Sequence, residues 1–178
     1  YFCDCFDAIQ EMIRRGWILS GHDISAGGLI TTLLEMTFAN PNGGLRINLH
    51  DIKGDDTVKK LFAENPGVVI QVADEHAEEV KEFLTDNCIG FARIGTPTPD
   101  KRTLSVADGD WKQEFDIDSL RDTWYETSYL LDRKQSMNGM AKKRYQNYKK
   151  QPIELKFNAD FTGTLKQYAL NADRWKDT

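Results

Sequence analysis

The segment Ser20–Asn40, SGHDISAGGLITTLLEMTFAN, constrains the fold of this chain more than any other stretch. A short strand runs into a polar turn, two adjacent glycines follow at Gly27 and Gly28, and an apolar helical run begins. Glycine adopts backbone conformations that other residues avoid. The pattern therefore predicts a tight turn from a strand into a helix.

The polar residues of this turn have two interpretations. Asp23 or Ser25 could simply cap the helix. Alternatively, the free peptide N–H groups at the helix start form an anion site that the glycines leave open to phosphate oxygens. Mg²⁺ prefers oxygen ligands, and Asp23 is the only carboxylate inside the turn, while Ser25 could donate to a phosphate. The turn has neither a P-loop lysine nor the full glycine spacing of a dinucleotide site.

Length and composition indicate a soluble globular domain. The chain has 178 residues, 40% hydrophobic and 29% charged, with a net charge of −5. A negative charge gives no reason to expect nucleic-acid binding, and the apolar stretches are far shorter than a membrane span, so we expect a cytoplasmic protein.

The start lacks Met and begins in a helical pattern, which favours a piece of a longer protein. Three cysteines with Cys3-x-Cys5 spacing match neither a redox pair nor a zinc site.

Helical and strand patterns alternate along the first two thirds of the chain. Apolar spacing predicts helices that start near Phe2, Gly27, Asp56 and Glu75, the first with a stripe of Phe2, Phe6, Ile9 and Ile13. The run GVVIQVAD predicts a buried strand, and RTLSVADGDWKQEF predicts a hairpin that turns at residues 108–110. These patterns predict an α+β fold, a layered α/β/α domain with a mixed sheet of about four to six strands.

Three segments are predicted. Residues 1–117 form the core, 118–150 a helical extension packed on it, and 151–178 a linker with little periodicity. The extension starts with one long helix, with Leu120, Trp124, Thr127 and Leu131 along one face.

Residues 133–150 carry seven basic residues and no acidic one. A solvated or interdomain face explains this run better than nucleic-acid binding, because few aromatic residues interleave it.

Three stretches together carry a resemblance: GHDISAGGLITTLLEMTFANPNGG, then ENPGVVIQV, then LRDTWYETSYLLDRKQSM. Their order and spacing resemble the large, single-chain phosphoribosylformylglycinamidine synthases over nearly the whole chain. The H-D-x-S-x-G-G turn is shared by the wider group of aminoimidazole ribonucleotide synthetase-like proteins, and the Arg-Asp-Thr-Trp helix points to the large synthases. The match is to the last synthetase-like C-terminal domain, before the glutaminase.

The resemblance implies an ATP-dependent carbon–nitrogen ligase of purine biosynthesis. Such enzymes join formylglycinamide ribonucleotide and glutamine-derived ammonia, with ATP converted to ADP and phosphate, and one of their two nucleotide sites is auxiliary. It further implies Mg²⁺ and ATP or ADP as ligands. The preceding synthetase-like domain and the following glutaminase domain of the same polypeptide would be the partners.

The resemblance also assigns residues of the turn. Asp23 matches a metal-ligand aspartate and Ser25 a nucleotide-contacting position, with Gly27 and Gly28 beside them. Ala26 departs from the family, which commonly has an acidic residue there. His22 is left out of the site, because a neutral imidazole is an unusual ligand for Mg²⁺. No catalytic residue is assigned, and the chain alone is expected to be inactive.

Two other classes of function stay open. The chain could be a non-catalytic structural or interaction module whose turn only caps a helix. It could also be the C-terminal domain of a sibling ATP-dependent enzyme, of the selenophosphate synthetase or thiamine phosphate kinase type. The long tryptophan-bearing helix argues against the sibling enzymes.

Overall fold

The computed structural model describes residues 1–150, and the predicted linker 151–178 lies outside the described residues. The α-helices of the described part are α1 Phe2–Arg14, α2 Gly28–Phe38, α3 Thr57–Phe62, α4 Ala77–Asp86, α5 Ile117–Gln135 and α6 Met140–Gln146. Its strands are β1 Ile18–Ile24, β2 Gly44–Asn48, β3 Gly67–Val72, β4 Gly95–Thr98, β5 Thr103–Asp108 and β6 Trp111–Asp116. In the described part of the chain, no helix has both the length and the apolar character to span a membrane.

Four strands form a mixed sheet in the order β4-β2-β5-β6. Strand β2 pairs in parallel with β5 and antiparallel with β4. Strands β5 and β6 form the predicted hairpin, in which Asp108 lies opposite Trp111 and Gly109 has a positive φ of 59°. The mixed sheet and the helices that pack on it confirm the predicted fold class.

Strands β1 and β3 form a separate antiparallel pair. Asp23 lies opposite Val68 in this pair, and His22 lies opposite Val69. The strand predicted at GVVIQVAD is present as β3, but the prediction that it is buried was wrong, because Val68 is 50% exposed and the later residues are only half-buried. In a two-stranded sheet both strands are edge strands, so their residues are covered less than those of a central strand.

Two apolar clusters surround the two-stranded sheet. The larger joins α2 and α3 to the four-stranded sheet, with Leu33, Leu49, Leu104 and Ile117 among its buried residues. The smaller joins α1 to α4 through Ala8, Met12, Val80 and Leu84. Residues of β1 and β3 pack against both clusters. The β1–α2 turn is therefore held between packed elements.

The predicted apolar stripe of α1 is not its packed face. Phe2, Phe6 and Ile13 are 76%, 55% and 52% exposed. The packed face consists of Ala8 and Met12, with Ile9 beside them. The helix carries apolar residues around much of its circumference, so helical spacing alone did not identify the buried side.

Helix α5 confirms the predicted long helix, but its buried residues do not lie on the predicted face. Leu131 is 59% exposed, and Trp124 is 50% exposed although its ring lies against Phe38 of α2. The buried residues of α5 are Ile117 and Arg121, one turn apart. Arg121 lies 4.6 Å from the ring centroid of Tyr125 and donates to the backbone oxygen of Tyr145 at 3.0 Å. This charged side chain, shielded by aromatic rings, joins α5 to α6.

Candidate functional site

The candidate site is the turn between β1 and α2. Asp23 is the second-to-last residue of β1, and its side chain is 72% exposed. Its backbone oxygen accepts from Thr32 Oγ1 at 3.1 Å and lies 2.8 Å from His22 Nδ1. The backbone of Asp23 is thus fixed on the protein side, while its carboxylate is open to solvent. An open carboxylate can bind a hard cation that keeps part of its water shell.

Neither predicted side chain caps α2. The N-cap residue is Gly27, with φ of 85°, and no side-chain hydrogen bond caps the helix there. Instead, the Gly27 N–H donates to Oε1 of Glu64, with 2.9 Å between the two atoms. The capping interpretation of Asp23 and Ser25 was therefore wrong. A carboxylate from the segment between α3 and β3 satisfies this amide.

Gly28 has a structural reason to be glycine. Its φ is 71°, and a Cβ there would lie 2.7 Å from the backbone oxygen of Leu61 and 2.8 Å from the Cα of Phe62. Its N–H donates to the backbone oxygen of Ser25 at 3.0 Å. The start of α2 thus packs directly on the backbone of α3. No side chain other than hydrogen fits at this position without a shift of backbone atoms.

The four predicted site residues lie between the end of β1 and the first residue of α2: Asp23, Ser25, Gly27 and Gly28. Ser25 and Ala26 are exposed, as is the Asp23 carboxylate. Across residues 1–150, no three side chains of the His, Cys, Asp and Glu types lie close enough together to hold a metal ion. The site fits a Mg²⁺ bound mainly through phosphate and water, with one carboxylate from this chain, and not a cage built from this chain alone.

Sequence reasoning missed Glu64 and Glu35. Glu64 lies 37 residues after the amide that it accepts from, and Glu35 contacts His22 and Trp124 from the middle of α2. A single glutamate in a helix or a loop has no sequence pattern that reveals such contacts. Glu64 belongs to the ENPGVVIQV stretch, and its place there was the one available hint.

The chain is similar in sequence to a known family and to known enzymes. The family described as AIR synthase related protein, C-terminal domain, matches residues 4–107, more than half of the chain. The phosphoribosylformylglycinamidine synthase of Homo sapiens is 34% identical over 134 residues, which cover 74% of this chain and 10% of that protein. The chloroplastic/mitochondrial counterpart of Arabidopsis thaliana is 32% identical over 137 residues, covering 77% and 10%. The chain spans about a tenth of the length of these relatives.

Solved structures share the fold. Two structures of T. maritima PurL, complexed with ATP and with FGAR, match with TM-scores of 0.55 and 0.58. Both are 17% identical to this chain, and the matches cover 64% and 66% of it and 20% of PurL. At this identity the likeness establishes the fold of the domain.

Proposed function

This chain belongs to the AIR synthase related proteins, whose C-terminal domain it contains, and we propose that it contributes one side of a Mg²⁺-nucleotide site in a phosphoribosylformylglycinamidine synthase. The single observation that carries the proposal is the Asp23 carboxylate. It is 72% exposed at the end of β1, with its backbone oxygen bonded to Thr32 of α2. The sequence similarity to the human and Arabidopsis synthases supports the choice of enzyme.

Asp23 is the metal ligand in this proposal. Mg²⁺ is usually held by one or two carboxylates together with phosphates and water. One exposed carboxylate agrees with that chemistry, and the remaining ligands come from the nucleotide and from a neighbouring domain. When bound, the ion neutralises phosphate charge. The role of this chain is to present Asp23 from a rigid strand end.

Ser25, Gly27 and Gly28 are the proposed nucleotide contacts. The exposed Ser25 hydroxyl can donate to a phosphate. The Gly27 N–H already donates to Oε1 of Glu64, and the Gly28 N–H donates to the backbone oxygen of Ser25. A phosphate that used the Gly27 N–H would therefore displace the Glu64 carboxylate. The presence of this carboxylate shows that the start of α2 stabilises an anion.

The reaction in the proposal is the ATP-dependent amidation of formylglycinamide ribonucleotide. ATP phosphorylates the amide oxygen and leaves as ADP, ammonia from glutamine attacks the activated carbon, and the oxygen departs with phosphate. The preceding synthetase-like domain supplies the rest of the nucleotide site, and a following glutaminase domain supplies ammonia. A cytoplasmic location belongs to the same proposal. None of residues 1–150 is proposed to be catalytic.

Isolated activity separates a shared site from a complete one. A held Mg²⁺-nucleotide needs several groups that converge from different elements, and the β1–α2 turn offers one carboxylate, Asp23. We therefore expect no ATP turnover from this chain alone. ATP hydrolysis by the purified chain that disappears on Asp23→Ala would contradict the shared-site proposal.

The alternative is a non-catalytic interaction module. The observation in its favour is that no metal-binding group of three acidic, histidine or cysteine side chains occurs in the described part of the chain. Calorimetric titration of the full protein with ADP and Mg²⁺ distinguishes the two. Loss or weakening of one bound ADP in Asp23→Ala supports the nucleotide site, and unchanged stoichiometry and affinity support the interaction module. The sibling-enzyme alternative is disfavoured, because the sequence of α5, with Trp124, resembles that of the large synthases.

A further inference from the structure

Glu35 connects the candidate site to the helical extension. Its Oε2 lies 3.2 Å from His22 Nε2, and its Oε1 accepts from Trp124 Nε1 at 2.8 Å. The three residues belong to α2, β1 and α5. The Glu35 side chain is only 23% exposed, so this carboxylate has lost most of its water and takes its hydrogen bonds from the protein.

His22 carries the connection to Asp23. Its Nδ1 lies 2.8 Å from the backbone oxygen of Asp23 and 3.5 Å from Oδ1 of the same residue. The ring thus lies between the Glu35 carboxylate and the main chain of Asp23. Because Glu35 holds the His22 ring at Nε2, the position of Nδ1 beside the backbone oxygen and Oδ1 of Asp23 is also fixed. This restricts the direction in which the Asp23 carboxylate points.

Trp124 anchors the other end. Its ring centroid lies 5.2 Å from that of Phe38, one turn after Glu35 on α2, so the indole covers two adjacent turns of this helix. Trp124 lies beyond residues 4–107, the part matched by the AIR synthase related family. The extension that follows the family domain therefore contacts α2 and is connected to Asp23 through Glu35 and His22.

We propose that Glu35 and Trp124 are positioning residues of the Asp23 site, acting through His22, so that helix α5 sets how well this site holds Mg²⁺. The inference rests on the proposed function. Neither residue is assigned a contact with metal or nucleotide. Residues that orient a ligand of a metal in this way typically change metal affinity about 10- to 100-fold when replaced.

Two variants test the connection at different links. Glu35→Gln keeps the shape of the side chain but presents an N–H₂ group to one of its two donors, so one of the two hydrogen bonds is lost. Trp124→Phe keeps an aromatic ring against Phe38 and removes only the indole donor. The affinity of the full protein for ADP is measured by calorimetry, once with Mg²⁺ and once with EDTA.

We expect Glu35→Gln to weaken binding of ADP with Mg²⁺ about tenfold, and Trp124→Phe to weaken it by a smaller factor. Binding of ADP in EDTA should not change, because the network acts on the metal ligand. The double variant should lose less than the product of the two single losses, because both break one network. Glu78→Gln, on an α4 side chain that is 76% exposed, and Trp111→Phe, on β6, are the matched controls.

The outcomes separate the inference from the proposed function. Wild-type binding of ADP with Mg²⁺ that neither variant changes overturns the inference and leaves the proposed function standing. Equal losses with Mg²⁺ and with EDTA also overturn it, because they indicate general loosening of the fold. If the wild-type protein binds no ADP with Mg²⁺, the proposed function fails and the inference fails with it.

Discussion

The carboxylate of Glu64 accepts a hydrogen bond from the backbone N–H of Gly27, with 2.9 Å between Oε1 and N. Gly27 is the N-cap of α2, and Glu64 comes from the segment between α3 and β3. The contact satisfies an amide that no side chain of the turn itself caps. It also places a negative charge at the end of a helix where the backbone dipoles favour one.

Replacement of Glu64 by Gln should lower stability by about 0.5 kcal/mol, because it removes the charge but keeps an oxygen acceptor near the helix dipole. The loss should shrink at high salt, since the side chain is exposed and the interaction is screened. Urea unfolding at low and high salt measures both effects. Glu82→Gln, in the middle of α4, is the control, and equal stabilities of the two variants would contradict the prediction.

Replacement of Gly28 by Ala tests whether this glycine is required by packing. Gly28 and Gly139 both have φ of 71°, but an added Cβ meets the backbone of α3 only at Gly28, and nothing within 4 Å at Gly139. The φ strain is common to both variants, so the difference isolates the close approach. Gly28→Ala should be less stable than Gly139→Ala by about 1–3 kcal/mol. Similar melting temperatures would show that α2 and α3 separate easily.

Arg121 tests how the extension is held. It is 6% exposed, and its guanidinium carbon lies 3.8 Å from the ring centroid of Tyr148. Lysine keeps the charge but loses the planar group that stacks on the tyrosine and donates in several directions. Arg121→Lys should cost about 2 kcal/mol. Arg133→Lys is the control, because Arg133 is exposed and lies 6.0 Å from the centroid of Tyr129, and we expect it to be nearly neutral.

Alkaline pH should weaken the same region. Burial and a hydrogen bond to Asp118 raise the pKa of Tyr148 to about 12, from 10.0. The folded state therefore keeps a proton that the unfolded state loses, so this contribution to stability is present below pH 10 and is lost as the pH rises toward 12. Tyr148→Phe should reduce the slope of unfolding free energy against pH in this range. An unchanged slope in denaturant titrations would contradict the assignment.

Acid should act on the partner of Tyr148. Burial opposes ionisation of Asp118, but hydrogen bonds from Lys149, Arg102 and Tyr148 outweigh it, so the pKa of Asp118 lies below 3.8. The stabilisation is present above that value and is lost as the pH falls through the lowered pKa. Asp118→Asn should remove this part of the acid sensitivity. An acid unfolding curve of the same shape in the variant would count against it.

The order of helices and strands could be predicted because each follows from local pattern. The hairpin at Asp108 and the helix start at Asp56 depend on turn and cap residues that sequence displays directly. The buried faces of α1 and α5 could not be predicted, because both helices bear apolar or aromatic residues on several sides. In α5 a charged residue, Arg121, occupies the buried position, and hydrophobic spacing does not anticipate that.

The turn could be located from sequence, but its contacts could not. Adjacent glycines after a strand marked the change to a helix, and the positive φ of Gly27 and Gly28 agrees with that prediction. The N–H of Gly27 donates to Glu64, and the ring of His22 is held by Glu35. Each contact joins residues of different structural elements. Such contacts depend on tertiary packing, which one sequence does not specify locally.

The role of Asp23 as a Mg²⁺ ligand is tested most directly by the melting temperature of the full protein. It is measured with and without ADP and Mg²⁺, in wild type and in Asp23→Asn. Asp23 caps no helix and its side chain is exposed, so the substitution should change the stability of the unliganded protein by less than about 0.5 kcal/mol. A ligand that binds only the folded state raises its melting temperature. We expect a rise in wild type that Asp23→Asn largely abolishes, because the amide lacks the charge that Mg²⁺ requires. A full rise in Asp23→Asn would contradict the role of Asp23 as the metal ligand.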